Sequence, residues 1–253
     1  MFFKRKTIAS MPAPQPDSPQ YEQQMRRMRT IEALQAHRIR VPVRMPLCTS
    51  EAQTRIKPVD QILRRAQCAM LSAEYAQCVA AYRNKTISKT ERDKAKSFFL
   101  SLLERWQSID TLSENERRVF YGRPSAQQLI DLSWGIEAAA VLFWAVEIID
   151  ELPYPDTKGY FSSDHPLYRP LFVHMESNLE HWLQSVSLRA TTDILDALDI
   201  CYLMDWACVE ASLHSKKPAG HLDGGIVNQR HRALNWLTYY DEKDDWDHVS
   251  TDT

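Results

Sequence analysis

Glycine is scarce, with six residues in a chain of 253. A sheet-rich fold built on tight turns draws heavily on glycine, so this shortage argues against one. The five cysteines, Cys48, Cys68, Cys78, Cys201 and Cys208, form no Cys-x-x-Cys pair. An odd count without disulfide-style spacing points to reduced thiols and a cytoplasmic protein. The opening "MFFKRKTIASMPAPQPDSPQ" has no apolar h-region and does not read as a secretory signal. The longest apolar stretch, "AAAVLFWAVEII" at 138–149, is too short to span a bilayer and carries Glu147, so it reads as a buried helix. No Gly-x-Ser-x-Gly, P-loop, dinucleotide fingerprint or His-Glu-x-x-His occurs, which removes the commonest nucleophile, phosphate, cofactor and zinc signatures.

What is present is an ample supply of core-forming residues, 44% hydrophobic and 10% aromatic, beside an ordinary 25% of charged ones. The net charge of −2 hides a polarised distribution. Residues 1–65 hold 13 Lys and Arg against 5 Asp and Glu, whereas residues 190–253 hold 5 against 12. Two readings follow: the ends attract and pack on each other, or the basic end meets an acidic partner. Nothing resembling a nucleic-acid-binding motif accompanies the arginines, so no nucleic-acid partner is expected.

Prolines at 12, 14, 16 and 19 mark residues 1–20 as a flexible tail, leaving 21–253 as one helical domain. A helix is expected from Tyr21 to about Arg38, with Tyr21, Met25, Met28 and Leu34 on one face and arginines on the other. Pro42 and Pro46 break it, and Pro58 opens a strong helix through about Asn84. Further helices are expected at 90–109 and 113–121, the latter opened by a Ser113–Glu116 capping box. A long one follows from Ser125 to Glu151. Short helices are expected within 165–184, one capped by Thr191 or Thr192 runs to about His214, and a last one covers 226–240. No stretch alternates with period two for long, so the fold class is all-α, closed by an irregular C-terminal strap.

The informative residues are polar ones on apolar stripes. On the long helix, Ile130, Trp134, Glu137, Val141, Trp144 and Ile148 recur at steps of four and three, placing Glu137 among tryptophans. A buried carboxylate needs a partner or a raised pKa. In "TTDILDALDICYLMDWACVEASLH", Asp199, Leu203, Trp206 and Glu210 align, with Asp196 adjoining, while Asp205 falls nearer a stripe with Leu198 and Tyr202. In the last helix Arg230 shares a face with Ile226, Ala233 and Leu237. Arg230 or Arg232 is therefore expected to pair with Glu137, Asp196 or Asp199, since a guanidinium binds carboxylates bidentately. A helical di-metal site would also want Glu-x-x-His pairs, and the chain has none, so no metal or cofactor is assigned. The closing "DDWDHVSTDT" looks at first like a metal or catalytic cluster. Its acids lack helical spacing, and Trp246 is too apolar for a disposable tail, so it reads better as a clasp docking onto the core.

Three blocks, "LSWGIEAAAVLFWAVEIIDELPYP", "LRATTDILDALDICYLMDWACVEA" and "AGHLDGGIVNQRHRALNWLTYY…DWDHVSTDT", together with "MRTIEALQAHRIRVPVRMPLCTSEAQTRIKPVDQILRRAQCAMLSA", resemble the domain of unknown function 4272 family (DUF4272) over about residues 25–253. "ALNWL" followed by W-D-x-V-x-T-D-T is the most specific part. Gln229 stands before Arg230 where the family usually carries an acid. The resemblance implies a bacterial, cytoplasmic, mostly helical domain and attaches no reaction to it.

Two functional readings stand. The first is a non-enzymatic module that binds another protein, such as an immunity or accessory protein of a secretion or toxin system; its recognition or structural cluster would involve Trp134, Trp206, Arg232, Asn235, Trp246 and Asp252. The second is a hydrolase using Glu137, Asp196, Asp199, Arg230 and His231 in a pocket between the long helix and the last two. They separate on one observation: convergence of these groups on an open cleft favours the enzyme, and pairing under cover favours the binding module.

Overall fold

The computed structural model describes residues 16, 18–42, 44–156, 177–242 and 244–253, and among them there is no strand. The helices are α1 (Tyr21–Ala36), α2 (Val59–Arg83), α3 (Lys89–Arg105), α4 (Glu114–Tyr121), α5 (Ala126–Ser133), α6 (Gly135–Ala145), α7 (Leu179–Ser185), α8 (Thr191–Leu213) and α9 (Gly224–Leu237). The chain is thus all-α in one domain. Of the expected tail, only Pro16 and residues 18–20 are described, and of the helices expected within 165–184 the part up to 176 lies outside the described residues.

The apolar run after Pro58 becomes the hub. Leu63, Ala66, Met70, Leu71, Ala73 and Ala76 of α2 are all fully buried, because α3, α4, α5 and α6 pack around it. Three of these neighbours start alike: Ser88, Ser113 and Ser125 each accept from the backbone N–H three residues on, and Glu91, Glu116 and Gln128 return the bond in capping boxes. α9 bridges α6 and α8, and α1 lies on the outer side of α8. A second, smaller apolar cluster joins Leu34 and Ile39 to Leu203, Met204 and Val227 at that outer seam.

The long helix expected from Ser125 to Glu151 is two helices joined at Trp134. The N–H of Glu137 bonds the Trp134 carbonyl three residues back, at 3.0 Å, and this tighter turn offsets α6 from α5. The offset seats Gly135 against α2, where an added Cβ would lie 3.1 Å from the Ala69 carbonyl oxygen. One stripe therefore does not run through both helices, and Ile130, expected inside, is 53% exposed. α6 closes early because Glu147 adopts a left-handed φ of 58°, and the N–H groups of Glu147 and Ile148 return to Trp144 and Phe143. These are the paired reverse bonds of a Schellman end. α8 does begin at Thr191, but its capping position is Ala190, and no threonine side chain caps it. α9 is capped by Asp223, whose carboxylate accepts from Gly225 N and Ile226 N, and it ends at Leu237 rather than Tyr240.

Candidate functional site

The polar residues picked out by periodicity fall into separate groups. Glu137, in the first turn of α6, meets Arg230 of α9: Nε and Nη2 of the arginine donate to Glu137 Oε2 at 3.2 and 3.0 Å, and Nη1 donates to the Pro153 carbonyl. Both side chains are buried, so the expected pairing of Arg230 with Glu137 is present. Burial pushes the Glu137 carboxyl above its usual range, and Arg230 counters only part of that push. Trp134 covers the same seam, its ring against Gly225, where a Cβ would come within 3.0 Å of the indole.

Asp199 has a different partner from those expected. It is covered by α1, where Arg27 Nη2 donates to Oδ1 at 2.7 Å and Nε lies 3.1 Å from both carboxylate oxygens. The same guanidinium donates to the carbonyls of Met45 and Pro46 at 3.0 and 2.7 Å, tying the proline-containing link to α1. Burial disfavours the Arg27 charge, but the hydrogen bonds and charge of Asp199 outweigh it and hold the guanidinium above its ordinary range. Asp196, one turn earlier and partly exposed, takes Arg26 Nε at 3.2 Å and Arg29 Nη2 at 2.8 Å. On α1, therefore, Arg26 and Arg27 are covered, while Tyr21 and Met28 look outward. The aspartates of α8 thus draw inward two arginines that apolar periodicity placed outside, while Leu34, expected on the apolar face, is buried and Arg29 stays exposed.

His231 lies between α8 and the strap. Its Nδ1–H donates to Asp205 Oδ2 at 2.9 Å, and its Nε2 accepts from Asn235 Nδ2 at 3.2 Å. The Asn235 amide also donates to the Ser250 carbonyl at 2.8 Å, and Asn228 donates to Thr251 Oγ1 at 2.9 Å. Tyr202 sets the edge of its ring against the imidazole.

The strap is held along its whole length. Arg55 and Glu242 form an exposed ion pair, and the buried Lys57 ammonium pairs with Asp244 while lying 3.6 Å from the centre of the Tyr239 ring. Trp246 is buried against Trp236, with the guanidinium carbons of Arg65 and Arg232 at 4.6 and 4.8 Å from its ring centre. Arg232 donates to the Trp246 carbonyl at 2.6 Å and to Gln229 Oε1 at 3.4 Å, instead of joining the carboxylates expected for it. Burial lowers its pKa, with Asp247 opposing and Arg65 adding to the fall. Trp206 packs half-buried on the outer apolar cluster and takes no part in this polar group.

One cleft, of about 510 Å3, opens between the 46–55 link, α8 and the end of α9. Leu198, Tyr202, His231 and Asn235 line it, with Arg55, Glu242 and Asp252 among its other lining residues. Asp252 is exposed and makes no hydrogen bond or ion pair among the described residues. Of the candidate catalytic residues only His231 reaches this cleft; Glu137 and Arg230 fill the seam where a pocket was expected, and Asp196 and Asp199 face α1. Sequence reasoning left out Arg27, Lys57 and Asp205. Asp205 had a signal in its stripe with Leu198 and Tyr202, whereas Arg27 and Lys57 lie in a basic stretch where no periodic signal separates them from exposed neighbours such as Arg29 and Arg55. Among the described residues no three His, Cys, Asp or Glu side chains are grouped to hold a metal ion, and no helix is long and apolar enough to cross a membrane.

These features define an all-helical domain whose buried charges are matched in pairs and whose C-terminal segment is clasped to the core. The chain belongs to the family described as Domain of unknown function (DUF4272), whose model matches residues 26–249. No curated protein and no solved structure matches it significantly.

Proposed function

We propose that this chain is a non-enzymatic, cytoplasmic bacterial protein that acts by binding another protein, as an immunity or accessory protein of a secretion or toxin system would. One observation carries the reading: Glu137, Asp199 and His231 are each buried and held by protein partners, Arg230, Arg27 and the Asp205–Asn235 pair. Glu137 and Asp199, matched in this way, stabilise and position a scaffold and do not line the cleft. All five thiols are free, which suits a reducing compartment.

The hydrolase alternative keeps one supporting feature, His231 on the cleft wall with Asp205 at Nδ1. Its Nε2, the atom a general base would use, already faces the Asn235 amide.

The test is cross-linking of the tagged chain in its own bacterium, followed by reconstitution of any captured protein with purified chain. A defined stoichiometric complex supports the proposal. Turnover of ester, phosphoester or peptide substrates that disappears in His231→Ala while the fold is retained would overturn it.

A further inference from the structure

We propose that the cleft between the 46–55 link, α8 and the end of α9 receives an arginine or lysine side chain from an extended segment of the partner, an inference that rests on the protein-binding reading above. Its volume of about 510 Å3 lies within the range of roughly 300–1,000 Å3 typical of ligand sites. It is large enough for one long side chain and the backbone on either side of it.

The sign of the charge follows from the wall. Among the described residues, three cations in or next to the cleft wall each have a carboxylate of their own: Arg27 has Asp199, Arg55 has Glu242 and Lys57 has Asp244. Asp252 adds a further carboxylate, exposed and without a hydrogen bond or ion pair among the described residues. Among the described residues that line the cleft, Asp241, Glu242 and Asp252 outnumber Arg55, so the lining attracts a cation and repels phosphate or a carboxylate ligand.

The wall is also built of groups that suit a cation. The Tyr239 ring takes Lys57 at 3.6 Å and Arg55 at 4.9 Å, and the Tyr202 ring takes Arg27 at 5.8 Å. Tyrosine faces attract ammonium and guanidinium groups, and they do so here for the chain's own side chains. The turn carrying Glu242 is held in a demanding shape, with Tyr239, Asp241 and Glu242 at φ of 55°, 57° and 54°. Three such non-glycine residues in four carry a backbone cost, and the turn they form sets Asp241 and Glu242 on the rim of the cleft. Deeper in, His231 and Asn235 form a buried polar wall already satisfied within the protein, which leaves the outer rim to discriminate by charge.

The experiment is a titration of the full chain, followed by NMR of the Asn235 side-chain amide. The probes are blocked tripeptides with a central arginine, lysine, norleucine or glutamate, and free agmatine as a non-peptide guanidinium. Arginine and lysine peptides should shift the amide and bind about tenfold tighter than the norleucine peptide, with glutamate weakest and salt weakening the first two. The exposed double variant Glu242→Gln/Asp252→Asn should keep its melting temperature and lose most of that preference. Equal binding of arginine and norleucine peptides would overturn the assignment, as would agmatine binding as tightly as the arginine peptide. A reconstituted partner held with unchanged affinity by the double variant would remove the cleft assignment and leave the protein-binding reading intact. Arginine selectivity with no partner found would keep the cationic site and remove that reading.

Discussion

The carboxylate of Asp247 accepts a hydrogen bond from the backbone N–H of Asn115 at 2.9 Å, so an acid of the C-terminal strap caps the first turn of a helix more than a hundred residues earlier. That N–H has no partner within its own helix, and a negative charge there also favours the helix dipole. The cluster of acids around Trp246 is thus a set of attachments: Asp244 to Lys57, Asp247 to α4, and Trp246 into the core.

If the strap is a clasp, its parts should differ in weight. Asp247→Ala should lower stability by about 0.5–2 kcal/mol, the range for losing a capping group. Trp246→Ala removes a buried aromatic side chain and should cost about 3–5 kcal/mol. Truncation after Tyr240 should prevent stable folding. Chemical denaturation of the three variants checks this order, and a truncated chain that unfolds at the wild-type midpoint would rule out the clasp.

Glu137 and Arg230 make a second test. Arg230→Leu leaves a buried carboxylate without its guanidinium and should cost about 3–5 kcal/mol, less to the extent that Glu137 takes up a proton. That proton uptake has a signature in pH. A carboxyl raised above its unfolded value binds a proton more readily when folded, so its effect favours the fold at low pH and fades as pH rises through the folded pKa. With Arg230 removed, the raised pKa should rise further, and the variant's deficit should therefore shrink on acidification towards pH 5. A deficit that is the same at pH 5 and pH 8 would show that Glu137 does not protonate in the variant.

Neighbouring aspartates on α8 should behave unlike each other. Asp199 is 2% exposed and Asp196 43% exposed at the side chain, although both pair with arginines of α1. Asp199→Asn should cost about 3–5 kcal/mol by stranding the buried Arg27. Asp196→Asn should cost less than about 1 kcal/mol, because water and salt already screen its pairs. Equal effects in thermal melts would mean that burial does not set the difference.

The all-α class, the strong helix after Pro58, the Ser113 capping box and the need of Glu137 and Arg230 for buried partners were legible because each is a local or periodic signal carried by its own helix. The choice of Glu137 over Asp196 or Asp199 as the partner of Arg230 was left open. The split at Trp134 was not legible, since it depends on how closely Gly135 approaches the Ala69 carbonyl, a contact between distant parts of the chain. Two arginines of α1 were misread for a related reason. Periodicity counts arginine as an outward residue, and Arg27 turns inward only because Asp199 waits 172 residues away. The excess of basic residues at one end and acidic ones at the other foreshadowed that meeting without saying which pairs would form. The cleft depends on three segments converging, so no single stretch announces it.

The thiols give the last test, and it concerns alkaline pH. Burial pushes Cys48, Cys68, Cys201 and Cys208 up to about 12, while Cys78 is raised and half-buried. At pH 8 a thiol with a pKa of about 12 is ionised in only about one molecule in ten thousand, and the thiolate is the reactive form. A disulfide reagent should therefore modify Cys78 first in the native chain, the partly covered Cys48 more slowly, and the buried Cys68, Cys201 and Cys208 only on unfolding. The same displacement links stability to pH. An unfolded thiol loses its proton near pH 8.5 while its folded counterpart keeps it, so the folded state binds more protons and stability falls as pH rises from about 8.5 towards 12. Denaturation midpoints should decline over that window, and the decline should flatten in Cys68→Ala/Cys201→Ala/Cys208→Ala, whatever that variant loses in packing at pH 7. An identical alkaline slope in the triple variant would mean that these thiols ionise as easily in the fold as out of it.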